Sequence, residues 1–199
     1  MGCDIHTCYE RRVGGYWELY DWETACNDDY DVLFEHPLYI GRSYALFGAL
    51  AGVREHNVAH LPVRDFPSDA SDGTRKAYDE WNGDAHTPTY ATLEELKAFD
   101  WNSYITRKGL VNGPAYRAYE RDGHQDSWCG GVSGNGIEHV SEAELRRRLT
   151  AGETCEKVYT QIQWRSPLTV NGAVKHFRDV TVPEMERLSL RRLVFWFDN

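Results

Sequence analysis

Polar and apolar positions alternate at the start of the chain. In an extended segment Asp4, His6, Cys8 and Glu10 would share one face, with Cys3, Ile5, Thr7 and Tyr9 on the other. A second extended stretch over residues 15–20 follows Val13-Gly14-Gly15, where glycine supplies the positive φ of a tight turn, so an N-terminal β-hairpin is expected. Residues 21–40, rich in Asp, Asn and aromatic residues without a period, read as loop. Tyr44, Phe47, Leu50 and Ala51 then fall at helical spacing, and Gly52 is placed to end that helix.

Between His56 and Asp72, Pro62, Pro67 and several Asp and Ser residues predict a long surface loop. A helix is expected over residues 72–82, and Thr92-Leu93-Glu94-Glu95 is a capping box opening another that runs to about Phe99. The polar stretch from Gly83 to Thr89 reads as the connection between them. Residues 103–136 mix Tyr with Gly and end in a glycine-rich tract, Gly130 to Gly136, which matches no phosphate-binding pattern and reads as a mobile loop. Ser141 to Glu144 forms a further capping box. Val158, Thr160, Ile162 and Trp164 alternate as in a strand, a helix is expected near Pro183 to Leu188, and Leu193 to Phe197 is apolar on both sides, as a central buried strand would be. The pattern predicts an α+β fold: a mixed or antiparallel sheet including the N- and C-terminal strands, covered by helices from the middle of the chain.

At 199 residues the chain is expected to form a single domain over 1–199, able to bury about 70% of the surface it exposes when unfolded. Five cysteines, odd in number and without a Cys-x-x-Cys pair, fit reduced thiols and a cytoplasmic location. No apolar run approaches the roughly 20 residues of a membrane span, and His6 stands where a myristoylation signal wants Ser or Thr. A net charge of -9 speaks against a nucleic-acid duplex as partner, and the basic cluster Arg146 to Arg148 reads as a solvated helix face. A small anionic ligand held by one or two arginines stays compatible with that charge.

The densest chemistry lies in Asp4-Ile5-His6 and its counterpart Asp84-Ala85-His86. Asp and neutral imidazole form a donor set suited to Zn, Mn or Fe, and a bound divalent ion would lower the pKa of its water. The alternatives are structural: the N-terminal polar face can be a solvated edge, Asp84 can cap a turn, and His86 can stack near Trp81 and Tyr90. Cys8 makes a poor nucleophile, since Glu10 beside it raises a thiol pKa. No His-Glu-x-x-His and no nucleophile elbow is present, although Gly131-Val132-Ser133-Gly134 comes near the latter. Thr7 and Thr87 sit one position off the two-histidine phosphoesterase pattern.

The opening Met1-Gly2-Cys3-Asp4-Ile5-His6 with Glu10 is one of several recurring blocks. The others are Arg42 to Phe47 with Gly52-Val53-Arg54, Asp84 to Thr87 before Tyr90 and Leu93, and the closing Val194 to Asn199. Together they resemble a bacteriophage and bacterial protein family with a Met-Gly-Cys-Asp-Ile-His start and a Phe-Trp-Phe-Asp-Asn C-terminal strand. The resemblance implies weight at Asp4, His6, Glu10, Arg42, Asp84, His86, Thr87 and Asp198. Thr87 replaces the more usual Ser, and Tyr90 and Ala91 surround a position that others fill with Trp or Leu.

Three readings follow. In the first, the chain is a phage-type metal-dependent hydrolase of a small nucleotide-like or phosphate-containing ligand, suited to blunting a host defence in the host cytoplasm. Asp4, His6 and His86 would hold Zn or Mn, Asp84 or Glu10 would be the base, and Arg42 would stabilise phosphate-like charge. Arg42, Thr87, Tyr90 and Asp198 would contact the ligand. In the second, the chain is a non-catalytic binder that sequesters a nucleotide-derived ligand, with Arg42 meeting its charge, Trp and Tyr faces stacking on the base, and the Asp and His groups bonding the ribose or base. In the third, the Asp and His residues only fix turns and the interior.

Overall fold

A computed structural model describes residues 2–23, 35–81, 83–123, 125 and 128–198. The elements in chain order are β1 (Ile5–Val13), β2 (Tyr16–Leu19), α1 (Tyr44–Ala51), α2 (Asp72–Asp79), β3 (His86–Thr92), α3 (Leu93–Ala98) and β4 (Tyr104–Asn112). They continue with α4 (Gly113–Asp122), β5 (Glu138–His139), α5 (Glu142–Thr150), β6 (Val158–Pro167), α6 (Gly172–His176), α7 (Val182–Arg187) and β7 (Arg192–Phe197). The fold is α+β. The chain forms two compact units, Met1–Ser103 with Leu168–Asn199, and Tyr104–Pro167.

The first unit is built on an antiparallel sheet in the order β2-β1-β7-β3. The expected hairpin is present: Gly14 and Gly15 take φ values of 58° and 90°, the left-handed pair that lets a two-residue turn follow the twist of its strands. β7 lies between β1 and β3 and is buried at every position from Arg192 to Phe197. Each fully buried Phe or Val there contributes about 1.5–3 kcal/mol relative to exposure.

Register assigns the faces, because residues directly opposite in an antiparallel pair point to the same side. Ile5, Phe197 and His86 are aligned, as are Thr7, Phe195 and Thr89, whereas His6 pairs with Trp196 and Cys8 with Val194. One face is thus aromatic core, with Phe47 of α1 edge-on to Phe197 at 5.2 Å. The other carries Cys8, Val194 and Trp196 packed against Leu19, Phe66, Ala77, Tyr78, Trp81 and Tyr90.

α1 starts at the Ser43 side chain and ends at Gly52, and α3 opens with the full Thr92–Glu95 capping box, both as the sequence predicts. α2 covers Asp72–Asp79. The stretch expected to be only a connection contains β3. A bulge between His86 and Thr89 interrupts its alternation, and Pro88 is tolerated because β3 is an edge strand. Of the loop expected over residues 21–40, positions 24–34 lie outside the described residues.

In the second unit β6 pairs antiparallel with β4 and parallel with the short β5. The strand expected near Val158 to Trp164 therefore exists but belongs to a second sheet. β4 and α4 occupy a region whose Gly-rich composition reads as irregular. Gly109 sits within the strand because a Cβ there would come 2.4 Å from the Trp128 ring. Tyr116, Leu145, Leu149, Ile162 and Trp164 form this unit's core. Arg147 and Arg148 of α5 pair with Glu144, and Arg148 also reaches Glu138, in keeping with a solvated, ion-paired helix face. The glycine-rich tract follows the Leu110–Cys129 bridge, and the Ile137 N–H closes it onto the Gly134 carbonyl.

Candidate functional site

The two Asp-x-His pairs do not share a hollow. His6 and His86 flank β7 on opposite faces of the sheet. The His86 ring stacks on Phe197 at 5.8 Å, and its Nδ1 lies 3.0 Å from the Thr87 hydroxyl. Thr87 itself adopts a left-handed φ of 51° at the bulge. Asp84 is exposed in the turn before β3, where its N–H donates to the Trp81 carbonyl. Hence the expected metal trio Asp4, His6 and His86 does not converge, and no group of three or more His, Cys, Asp or Glu able to hold a metal ion occurs among the described residues.

What assembles instead is a join between the chain's two ends. His6 Nε2 lies 3.2 Å from Asp198 Oδ2, and Asp198 Oδ1 accepts the Asp4 N–H at 2.8 Å. The Asp198 N–H returns a bond to the Asp4 carbonyl, extending the β1–β7 ladder outward. Arg42 grips the Asp4 carboxylate through Nε, at 2.7 Å, and Nη2. That hydrogen bond holds the Asp4 carboxyl below its usual range, against a smaller cost of burial. Arg42 is therefore engaged with the Asp4 carboxylate.

Glu10, proposed from sequence as a base, is fully buried in a different role. Its carboxylate accepts from Arg192 Nε at 2.7 Å and from the Ser71 N–H at 2.8 Å. Arg192 also bonds Asp69 and lies over the Trp17 ring at 4.0 Å. Tyr90 packs on the same side under Arg64, 4.9 Å from its guanidinium. Glu10 is thus held by Arg192 and Ser71, Tyr90 by Arg64, and Thr87 by His86.

His6 opens onto a cleft of about 360 Å³ on its face of the sheet. Trp81 lies over the imidazole at 3.7 Å between ring centroids, and Trp196 flanks it at 5.9 Å. Tyr20, Trp22 and Tyr39 add further aromatic wall, while Asp21, Glu23 and Glu80 supply carboxylates; no Lys or Arg lines it among the described residues. Burial, reinforced by Asp21, raises the Glu23 carboxyl above its usual range, with His6 opposing. Cys8 reaches the floor, where burial pushes its thiol up to about 12, Thr74 opposing and Glu10 adding.

Of the residues singled out from sequence, His6 lines this cleft and Asp198 and Asp4 support it. The aromatic and acidic lining was not foreseen. Its one visible signal is the run Tyr20-Asp21-Trp22-Glu23, where acids and rings alternate without a helical or strand role. Comparison with protein-family models, with curated proteins and with solved structures finds no match. No helix among the described residues is long and apolar enough to cross a membrane.

Proposed function

We propose that the protein binds and sequesters a small ligand bearing a nucleobase-like ring, held in the cleft over His6. The observation that carries this reading is the cleft's lining: tryptophan and tyrosine rings with carboxylates between them, and no lysine or arginine among the described residues. Ring stacking contributes about 1–3 kcal/mol per base, and a carboxylate accepts from the amino edge of a base. The ring and its amino groups, rather than a phosphate, are the features such a lining recognises.

Titration of intrinsic tryptophan fluorescence with adenosine, guanosine and cytidine, and with their 5′-monophosphates, tests the reading. Saturable quenching by at least one nucleoside, not tightened by the phosphate and weakened about tenfold or more in Trp81→Ala, is the expected result. Absence of saturable binding, or binding that depends on the phosphate and on Arg42, would refute it.

A hydrolytic reading has one specific observation in its favour, the His6–Asp198 contact. With Nε2–H directed to Asp198, Nδ1 is the atom left to take a proton from water, the arrangement of a carboxylate-oriented general base. Release of free base from a bound nucleoside, abolished in His6→Ala, would favour this reading over sequestration. The divalent-metal version needs donors other than the trio read from sequence.

A further inference from the structure

Three features of the cleft bear on the charge of what it takes. The first is electrostatic: Asp21, Glu23 and Glu80 line it, with no lysine or arginine among the described residues. A carboxylate in an aromatic wall is poorly solvated, and the raised Glu23 carboxyl, caused first by burial and then by Asp21, records that cost. A cation placed in the cleft would relieve it. The second is the wall itself. Tryptophan and tyrosine faces attract cations through the ring quadrupole, and the attraction grows when the cation is desolvated. The third is an unpaired donor. Trp196 lines the cleft, is 2% exposed, and its indole Nε1–H has no hydrogen-bond partner among the described residues. A buried donor without an acceptor is costly, so a ligand that brings a carbonyl or hydroxyl oxygen to it gains affinity.

Resting on the ring-binding reading above, we infer that the cleft selects a cationic N-alkylated heterocycle, a pyridinium or purinium ring carrying an oxygen acceptor, over its neutral parent. The positive ring stacks on Trp81, the carboxylates of Glu23 and Glu80 supply the counter-charge, and Trp196 donates to the ligand oxygen. An acidic rim of this kind also rejects anionic analogues of the same ring.

The probes are 1-methylnicotinamide and nicotinamide, which share a ring and a carboxamide and differ by one methyl group and one permanent charge. Calorimetric titration of the full chain is expected to show the methylated cation binding at least tenfold more tightly. Glu23→Gln combined with Glu80→Gln is expected to erase that preference, with the melting temperature recorded to confirm folding. Trp196→Phe, which keeps an aromatic ring at the position but removes the N–H donor, is expected to weaken both probes alike. Equal or weaker binding of the cation, no binding of it, or a preference that survives the double substitution would overturn the inference. If nucleosides bind while the cation has no advantage, the charge selection fails and the ring-binding reading stands; if nothing binds, both fail.

Discussion

Asp4 and Glu10 stand at the two ends of the same polar face, and each is held by an arginine, Arg42 for one and Arg192 for the other. The Asp4–Arg42 side chains are 46% and 53% exposed, whereas those of Glu10 and Arg192 are 0% and 4% exposed. Water screens the first pair, so its net worth is small, and breaking it leaves both groups solvated. At the other end neither partner can be rehydrated. Loss of Arg192 strands Glu10 as a buried charge, loss of Glu10 leaves Arg192 only the exposed Asp69 carboxylate, and the pair acts as a fixed joint between β1, β7 and the Ser71 backbone. Between these ends lies His6, half-buried, bonded to Asp198 and open to the cleft. One sequence pattern thus becomes a buried joint at one end and a solvated ion pair at the other, and burial decides which.

The sharpest way to break this contrast is at the buried end. Glu10→Ala should destabilise the first unit by about 3–5 kcal/mol, read as a fall in the denaturant midpoint. Replacing both partners, as in Glu10→Leu with Arg192→Met, should restore part of that loss, since no buried charge is left unpaired while the Ser71 N–H and the exposed Asp69 each lose a partner. A double variant as unstable as the single one would show that the bonds themselves, and not the stranded charge, set the cost.

Cys8 sharpens the contrast at the middle of the strand. Its thiol rises from 9.0 to about 12, and each unit is tenfold in thiolate. Alkylation of Cys8 at pH 8 should therefore be about a thousandfold slower in the folded chain than in the unfolded one. Rapid labelling would mean that the cleft floor is wetter than its geometry implies.

At the exposed end the effects shrink. Arg42→Ala should leave the denaturant midpoint nearly unchanged, and more nearly so at high salt. The sign with pH follows from the lowered Asp4 carboxyl. Its stabilising contribution is complete above the unfolded value of about 4 and vanishes as pH falls through the lower folded value. Asp4→Asn should flatten that part of the stability profile. Glu23 runs the other way. Its carboxyl, raised by burial and Asp21, is protonated at a higher pH than an ordinary glutamate, so affinity for a cationic probe should begin to fall on acidification above the usual carboxylate range.

Local rules carried the fold where the relevant contacts are local. The hairpin at Gly14-Gly15, the Thr92–Glu95 and Ser141–Glu144 caps and the apolar run of β7 are each legible in a few residues. β3 was hidden because its bulge shifts the alternation at His86, and β4 because Gly109 answers to Trp128, a neighbour that only tertiary structure supplies. The site was half legible for the same reason. Alternation placed His6, Cys8 and Glu10 on one face, as found, but nothing local separates Asp4 from Glu10. That distinction comes from the register of β7, which sets Arg192 opposite Glu10 and brings Asp198 to His6. His86 mirrors His6 in its Asp-x-His setting, and pairing to the other edge of β7 one residue out of step turns it to the other face.

On the proposed reading the face of His6, and not that of His86 or Arg42, receives the ligand. A crystal structure of the protein grown with guanosine tests it most directly. The account predicts the base in the cleft, against Trp81 and within hydrogen-bonding distance of Glu23 or Glu80. A base seated at Arg42 or against Thr87 and His86, with the cleft unchanged, would contradict it.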